Sequence, residues 1–156
     1  MEIRLFRDTD APALAAIFFS SVRKIGGQHY TADQVAAWAP SLPDADVFTR
    51  RASDGRTLLV AIGENGQPIA YGDLEADGHI DHIYCSPEAA GCGVAKQLYE
   101  ELERVARSAG INVLFVEASE PAKRFFQKQG FEPIARNEFK LNGVEIHNYQ
   151  MRKALS

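Results

Sequence analysis

The sequence predicts a mixed α/β (α+β) fold, a mostly antiparallel central sheet of about seven strands with helices on both faces. Three observations predict it. Strand-like segments joined by hairpin turns fill the middle of the chain, and a long amphipathic helix followed by a strongly apolar strand lies beyond them. The element order is neither regular βαβ alternation nor all-β. At 156 residues and 46% hydrophobic content, the chain fits one domain spanning residues 1–156 with a full core.

Glu2 to Phe6 alternates polar and apolar residues, the period of a strand with one buried face. Asp8, Thr9 and Asp10 then offer capping oxygens and Pro12 suits a first helical turn. Leu14, Ile17, Phe18 and Val22 recur at helical spacing until Gly26-Gly27. Thr31 to Trp38 repeats the arrangement on a smaller scale, with Thr31 as cap and Pro40 as stop. Pro43 to Ser53 is ambiguous between loop and a further helical turn.

Thr57 to Ile62, Ile69 to Glu75 and His79 to Cys85 read as an antiparallel meander. Glu64-Asn65-Gly66 and Asp77-Gly78 supply its turns. Gly93 to Ala109 carries Val94, Leu98, Leu102 and Val105 on one helical face, with Gly110 placed as a C-cap glycine. Val113 to Ala118 reads as a strand buried on both faces. Pro121 to Gln129 is a helix ended by Gly130, and Phe131 to Lys153 is a hairpin turning at Asn142-Gly143, a pair suited to a type I′ turn.

Composition excludes several functions. Seventeen basic against 21 acidic side chains give a net charge of −4, without the basic footprint of nucleic-acid binding. The apolar stretch from Ala11 to Phe19 is too short to span a bilayer and follows no basic leader, so a soluble, cytoplasmic protein is expected. Cys85 and Cys92 lack metal-ligand spacing and secretory context, and are read as reduced thiols.

The junction from Ile80 to Leu98 carries the chemistry. A strand ends at Cys85-Ser86-Pro87, small residues crowd Ala90-Gly91-Cys92-Gly93-Val94-Ala95-Lys96, and a long helix begins. Unpaired N–H groups and the macrodipole make that helix start a site for an anion, and the glycines let a diphosphate approach the backbone. A tight strand-to-helix turn is the plain alternative. There is no Gly-Lys-Ser/Thr of a P-loop and no complete GxGxxG in a βαβ unit, so a different diphosphate cofactor is indicated.

At this point the sequence resembles the GCN5-related N-acetyltransferase (GNAT) superfamily. Its phosphate-loop pattern, Gln/Arg-x-x-Gly-x-Gly/Ala, falls on Ala90 to Ala95, preceded by Ile83-Tyr84-Cys85-Ser86-Pro87. A second block, Asn-x-x-Ala-x-x-Phe-Tyr-x-x-x-Gly-Phe, falls on Ser119 to Phe131. Ser20, Arg23, Tyr30, Gln34 and Trp38 are similar to a bacterial acetyltransferase branch of that superfamily.

The resemblance implies acetyl-CoA as co-substrate, in a cleft where the strands ending at Cys85 and Ala118 splay apart. The diphosphate is expected on the N–H groups of Cys92 to Lys96. The pantetheine arm is expected to pair like an added strand with the backbone of Ile83, Tyr84 and Cys85. Ser119, Ala122, Phe125 and Phe126 would line its other side, with Lys96, Lys123, Arg124 or Lys128 near the nucleotide phosphate. Each of those cations is equally a solvated helix charge. Acceptor binding is expected from Ser20, Arg23, Tyr30, Gln34, Trp38 and His147, with Arg23 and Trp38 able to seat an anionic or planar group.

Three departures matter. Ala90 and Cys92 remove side-chain contacts to the diphosphate, and Phe126 stands where a tyrosine usually protonates the leaving thiolate. Tyr84, Tyr149, water, or no acid at all are the alternatives. The expected reaction is direct attack of an amine on the thioester, with the Ile83 N–H polarising the carbonyl. Asp73, Glu75, His79, Asp81 and His82 crowd the strands leading to the cleft, and Asp81 or His79 is the expected base. The leading expectation is an N-acetyltransferase acting on a small-molecule or peptide amine, with neither nucleic acid nor membrane as partner. A non-catalytic acyl-CoA sensor or interaction module is the alternative. Oligomeric state is left open, a homodimer being the commonest assembly.

Overall fold

The computed structural model describes residues 1–155. Seven strands form two sheets: β1 (Glu2–Leu5), β2 (Thr57–Ile62), β3 (Pro68–Leu74) and β4 (Ile83–Cys85) in the order β1-β2-β3-β4, and β5 (Val113–Ala118), β6 (Glu132–Leu141) and β7 (Val144–Ala154) in the order β5-β7-β6. Every pairing within the sheets is antiparallel. Five helices accompany them: α1 (Ala11–Ile25), α2 (Ala32–Trp38), α3 (Ala45–Ala52), α4 (Val94–Ser108) and α5 (Glu120–Lys128). None is long and apolar enough to cross a membrane among the described residues.

The alternation of β2 sorts the helices onto two faces. Leu58, Val60 and Ile62 pack with Leu14 and Ile17 of α1 and Phe48 of α3, while Leu59 and Ala61 turn to the side where Leu98, Leu102 and Ala106 of α4 are buried. The segment 43–53, ambiguous in sequence, resolves as α3, capped by the Asp44 side chain on the Asp46 N–H at 3.0 Å. The turn between β6 and β7 has positive φ at both Asn142 (50°) and Gly143 (79°), as a type I′ hairpin requires.

Two expectations are corrected. The strand expected from His79 to Cys85 is regular only over Ile83–Cys85, and 79–82 bulges away from β3. The buried carboxylate of Asp73 accepts the Asp81 and His82 N–H groups at 3.1 and 2.9 Å, replacing main-chain partners the ladder would have supplied. The strand expected to be buried on both faces, β5, alternates instead: Leu114, Val116 and Ala118 are buried and Glu117 is exposed. One of its edges loses its neighbour where the two sheets part.

The sheets meet at a pivot. His79 and Phe115 form a parallel bridge, Phe115 N–H donates to the Gly78 carbonyl at 3.1 Å, and Ile80 N–H donates to the Phe115 carbonyl at 3.0 Å. Gly78 is required there, because its φ is +99° and a Cβ would collide with the Val113 carbonyl. Beyond the pivot, β4 and β5 run on in parallel without pairing, which opens a V between them.

Candidate active site

The register of β4 determines what faces the V. Asp73 N–H donates to the His82 carbonyl and Ser86 N–H to the Ile69 carbonyl, so 73/82, 71/84 and 69/86 are the hydrogen-bonded pairs of this ladder. Ile83 and Cys85 occupy the alternate positions. Their N–H and C=O groups therefore point away from β3, into the opening toward β5. An extended ligand backbone entering the V meets two unused donors and two unused acceptors.

At the foot of β4 the chain turns through Gly91 and Gly93, both at φ +81°, and Gly93 begins α4 without any side-chain cap. Among the described residues the N–H groups of Gly93, Val94 and Lys96 have no main-chain acceptor, whereas Cys92 N–H is spent on the Ala89 carbonyl at 3.2 Å. The anion-binding stretch is thus shorter than the expected Cys92 to Lys96. Lys96 is exposed and 4.0 Å from Glu100, and Lys128 is exposed at the far end of α5. Burial pushes the Cys85 thiol up to about 11, against a smaller opposing effect of the Ala95 N–H, so it is an inert thiol packed against the start of α4.

The V deepens into a cavity of about 310 Å³. One end is walled by Ile83, Val116, Ala118, Ser119, Ala122 and Phe126, and the other by Phe18, Tyr30, Trp38, Phe139, Leu141 and Ile146, with Asp81, His82, Tyr84, Glu117, His147 and Asn148 between. Ser119 is the N-cap of α5 by backbone geometry, yet its hydroxyl makes no capping bond. Phe126 lies in this wall with Phe125 edge-on to it at 5.2 Å, and Phe125 itself packs into the core.

Of the two expected bases, only Asp81 reaches the cavity. His79 sits outside it at the pivot, with Nδ1 on Glu75 at 2.7 Å, Nε2 on Glu117 at 2.8 Å and its ring stacked on Phe115. Neither nitrogen is left to move a proton. Burial opposes ionisation of Asp81, but the neighbouring His82 and the guanidiniums of Arg51 and Arg56, at 2.8 and 3.3 Å, hold its carboxyl below the usual range. It is a firmly ionised, already partnered group. Tyr149, an expected proton donor, lies outside the cavity under the Lys123 ammonium at 4.1 Å.

His82 was visible in the sequence only as one of five polar residues in the meander, and the bulge makes it distinctive. Its Nδ1 is 3.0 Å from the Tyr71 hydroxyl, its ring stacks on Phe18, and it lines the cavity. Burial, aided by nearby Arg51, drives its pKa down to about 4, so the imidazole is neutral. Nε2 makes no hydrogen bond among the described residues.

The expected acceptor residues separate in the same way. Tyr30, Trp38 and His147 line the cavity. Ser20 instead donates its hydroxyl to the Ala16 carbonyl within α1, and Arg23 donates to the carbonyls of Ala39 and Pro40 at 3.0 and 3.2 Å. Gln34 completes the α2 capping box with Thr31 and donates to the Glu145 carbonyl at 3.0 Å. These three fasten helices rather than face the cavity. A residue the sequence did not mark is Glu120, which binds His147 Nε2 through its carboxylate and donates its N–H to the Tyr30 hydroxyl at 2.6 Å.

A split β-sheet with outward-facing main-chain groups at the parting, above a glycine-rich helix start, defines an acyltransferase-type cleft. The acetyltransferase (GNAT) domain family matches residues 27–153, and the chain belongs to that family. A GCN5-related N-acetyltransferase from Rhodopseudomonas palustris is 34% identical, with 99% of this chain and 95% of that chain aligned and a TM-score of 0.90. The Escherichia coli N-acetyltransferase YafP is 28% identical over 152 residues, which is 97% of this chain and 95% of its own. A phosphinothricin acetyltransferase from Sinorhizobium meliloti, solved with acetyl-CoA, shares the fold at 23% identity and a TM-score of 0.78, over 99% of this chain and 88% of that chain.

Proposed function

We propose that this protein is an N-acetyltransferase that moves the acetyl group of acetyl-CoA directly to an amine. The observation that carries the reading is the outward pair of amides on β4, Ile83 and Cys85, facing the edge of β5 that lies opposite its partner β7 and is open beyond the His79–Phe115 bridge. The S. meliloti structural relative, which holds acetyl-CoA in the same fold, supports it. The diphosphate rests on the N–H groups of Gly93, Val94 and Lys96, assisted by the α4 dipole. The pantetheine arm adds to the open edge of β4 as a strand would, with the Ser119 hydroxyl and Ala122 across from it. The Ile83 N–H is the donor to the thioester oxygen as charge develops there.

His82 is the proton acceptor in this reading. The acceptor ammonium first loses a proton to solvent; attack by the free amine then gives a tetrahedral adduct whose nitrogen is far more acidic than the parent ammonium, and the neutral His82 imidazole can take that second proton. Collapse expels the CoA thiolate. Tyr84 stands in the wall, but burial pushes its hydroxyl well above the usual phenol value. Proton transfer from it to a thiolate whose thiol has a pKa of about 8.5 runs uphill, so the thiolate leaves as the anion and is protonated by water.

Phe126 also favours a second reading, a sensor that binds acyl-CoA without turnover. One experiment separates them. Acetyl-CoA affinity is measured by calorimetry, and thiol release is followed with a panel of amines. Binding with amine-dependent release supports the enzyme, binding without release on any amine supports the sensor, and no binding overturns both.

A further inference from the structure

The chemical class of the acceptor is legible in the cavity wall; this rests on the acetyltransferase reading and deepens it. No lysine or arginine is among the described residues that line the cavity. The nearby cations are engaged elsewhere. Arg23 is tied to two carbonyls and lies over the Phe19 ring, Lys123 lies over Tyr149, Arg136 is 3.3 Å from Glu138, and Arg51 and Arg56 sit behind Asp81 on carboxylates. The dipole of α5 is no substitute, because Glu120 occupies its first turn.

The wall is negative instead. Asp54, Asp73, Glu75, Asp81 and Glu117 form one chain of ion pairs with only Arg51, Arg56 and His79, so carboxylates are in excess even with His79 protonated. Asp81 and Glu117 keep 32% and 41% of their side chains exposed and both are lining residues, the Glu117 carboxylate being held at the pivot by His79 and that of Asp81 standing nearer the cavity. The far end presents the rings of Phe18, Tyr30, Trp38 and Phe139, whose electron-rich faces attract a cation and whose carbon surface binds an apolar body. An anionic acceptor would give up its hydration without gaining a partner.

We infer that the acceptor is a small cationic amine with an aromatic or bulky apolar body, its ring among Trp38, Tyr30 and Phe139 and its ammonium directed to Asp81. Sugar phosphates and acidic amino acids are excluded. Of the anionic or planar group expected on Arg23 and Trp38, this inference keeps the planar one, since Arg23 is held by the Ala39 and Pro40 carbonyls.

Trp38 is the single tryptophan of the chain, so its emission reports on this end of the cavity with no acetyl-CoA present. The probes are 2-phenylethylammonium, 3-phenylpropionate, ethylammonium and glucosamine 6-phosphate. The expected result is a saturable emission change with 2-phenylethylammonium, at a Kd at least about tenfold below those of the other three. Asp81→Asn should erase the preference over 3-phenylpropionate. Phe139→Ala, at a half-exposed position, should weaken 2-phenylethylammonium while leaving thermal stability unchanged. Equal or tighter binding of either anion, or no response to 2-phenylethylammonium, overturns the inference. Calorimetry with acetyl-CoA alone reports separately on the acetyltransferase reading.

Discussion

Asp73 and His82 hold one another by two reciprocal hydrogen bonds: the Asp73 N–H donates to the His82 carbonyl at 3.0 Å, and the Asp73 carboxylate accepts the His82 N–H at 2.9 Å. A side chain here does the work of a missing strand residue. The second carboxylate oxygen binds Arg51 at 2.6 Å and Arg56 at 2.9 Å. The bulge that carries Asp81 and His82 into the cavity is thereby fixed from a fully buried point on β3.

Removing that point should cost both stability and turnover. Asp73→Ala leaves two guanidiniums short of a partner and two amides short of an acceptor, a loss of about 3 kcal/mol or more. Thermal denaturation should register it as a fall of roughly 6–12 °C for a chain of this size. Asp73→Asn keeps an amide acceptor and should fold, yet its kcat should drop with acetyl-CoA affinity nearly unchanged. A reduced affinity at normal kcat would show that Asp73 supports the cofactor cleft instead of the bulge.

The elements were legible because their signals are local. Period-2 alternation, capping residues such as Thr31, and the Asn142-Gly143 turn each depend on a few neighbouring residues. The bulge was not legible, since it depends on Asp73 being eight and nine residues from its amide partners and on arginines 22 and 17 residues upstream of it. Ser20, Arg23 and Gln34 look like ligand contacts in sequence because the superfamily resemblance implies an acceptor site on the first two helices. Only the fold shows their carbonyl partners already in place.

His79 should make stability depend on pH. Burial alone would lower its pKa, but the hydrogen bond to Glu75 and the charge and hydrogen bond of Glu117, with Asp81 nearby, raise it above the ordinary 6.5. A group raised on folding stabilises fully below its unfolded pKa and loses that contribution as pH climbs through the folded value. Urea denaturation should therefore show stability declining from about pH 6.5 upward, and His79→Gln should flatten this slope. A slope that survives the substitution would assign the dependence to another group.

Substituting His82 tests the chemical step. His82→Ala should lower kcat by about 10²–10⁴ while acetyl-CoA binding stays unchanged. Because its pKa lies near 4, the wild-type imidazole is neutral throughout the physiological range. The acid limb of kcat assigned to it should lie well below pH 6. A limb near 6.5 would point to an exposed histidine as the base.

Restoring the family's phenol is informative for the leaving group. Phe126→Tyr should change kcat by less than about tenfold, because a thiolate of ordinary basicity needs no acid. A gain of hundreds-fold would mean that thiolate departure limits the native enzyme.

The central claim is that acetyl-CoA lies along the open edge of β4 and on the start of α4. Titrating the isotopically labelled protein with acetyl-CoA and following backbone amide resonances tests it most directly. Saturable shifts at Ile83, Cys85, Gly93, Val94 and Lys96 are the predicted result. Stationary resonances at those five positions, with acetyl-CoA unbound or perturbing another surface, would contradict it.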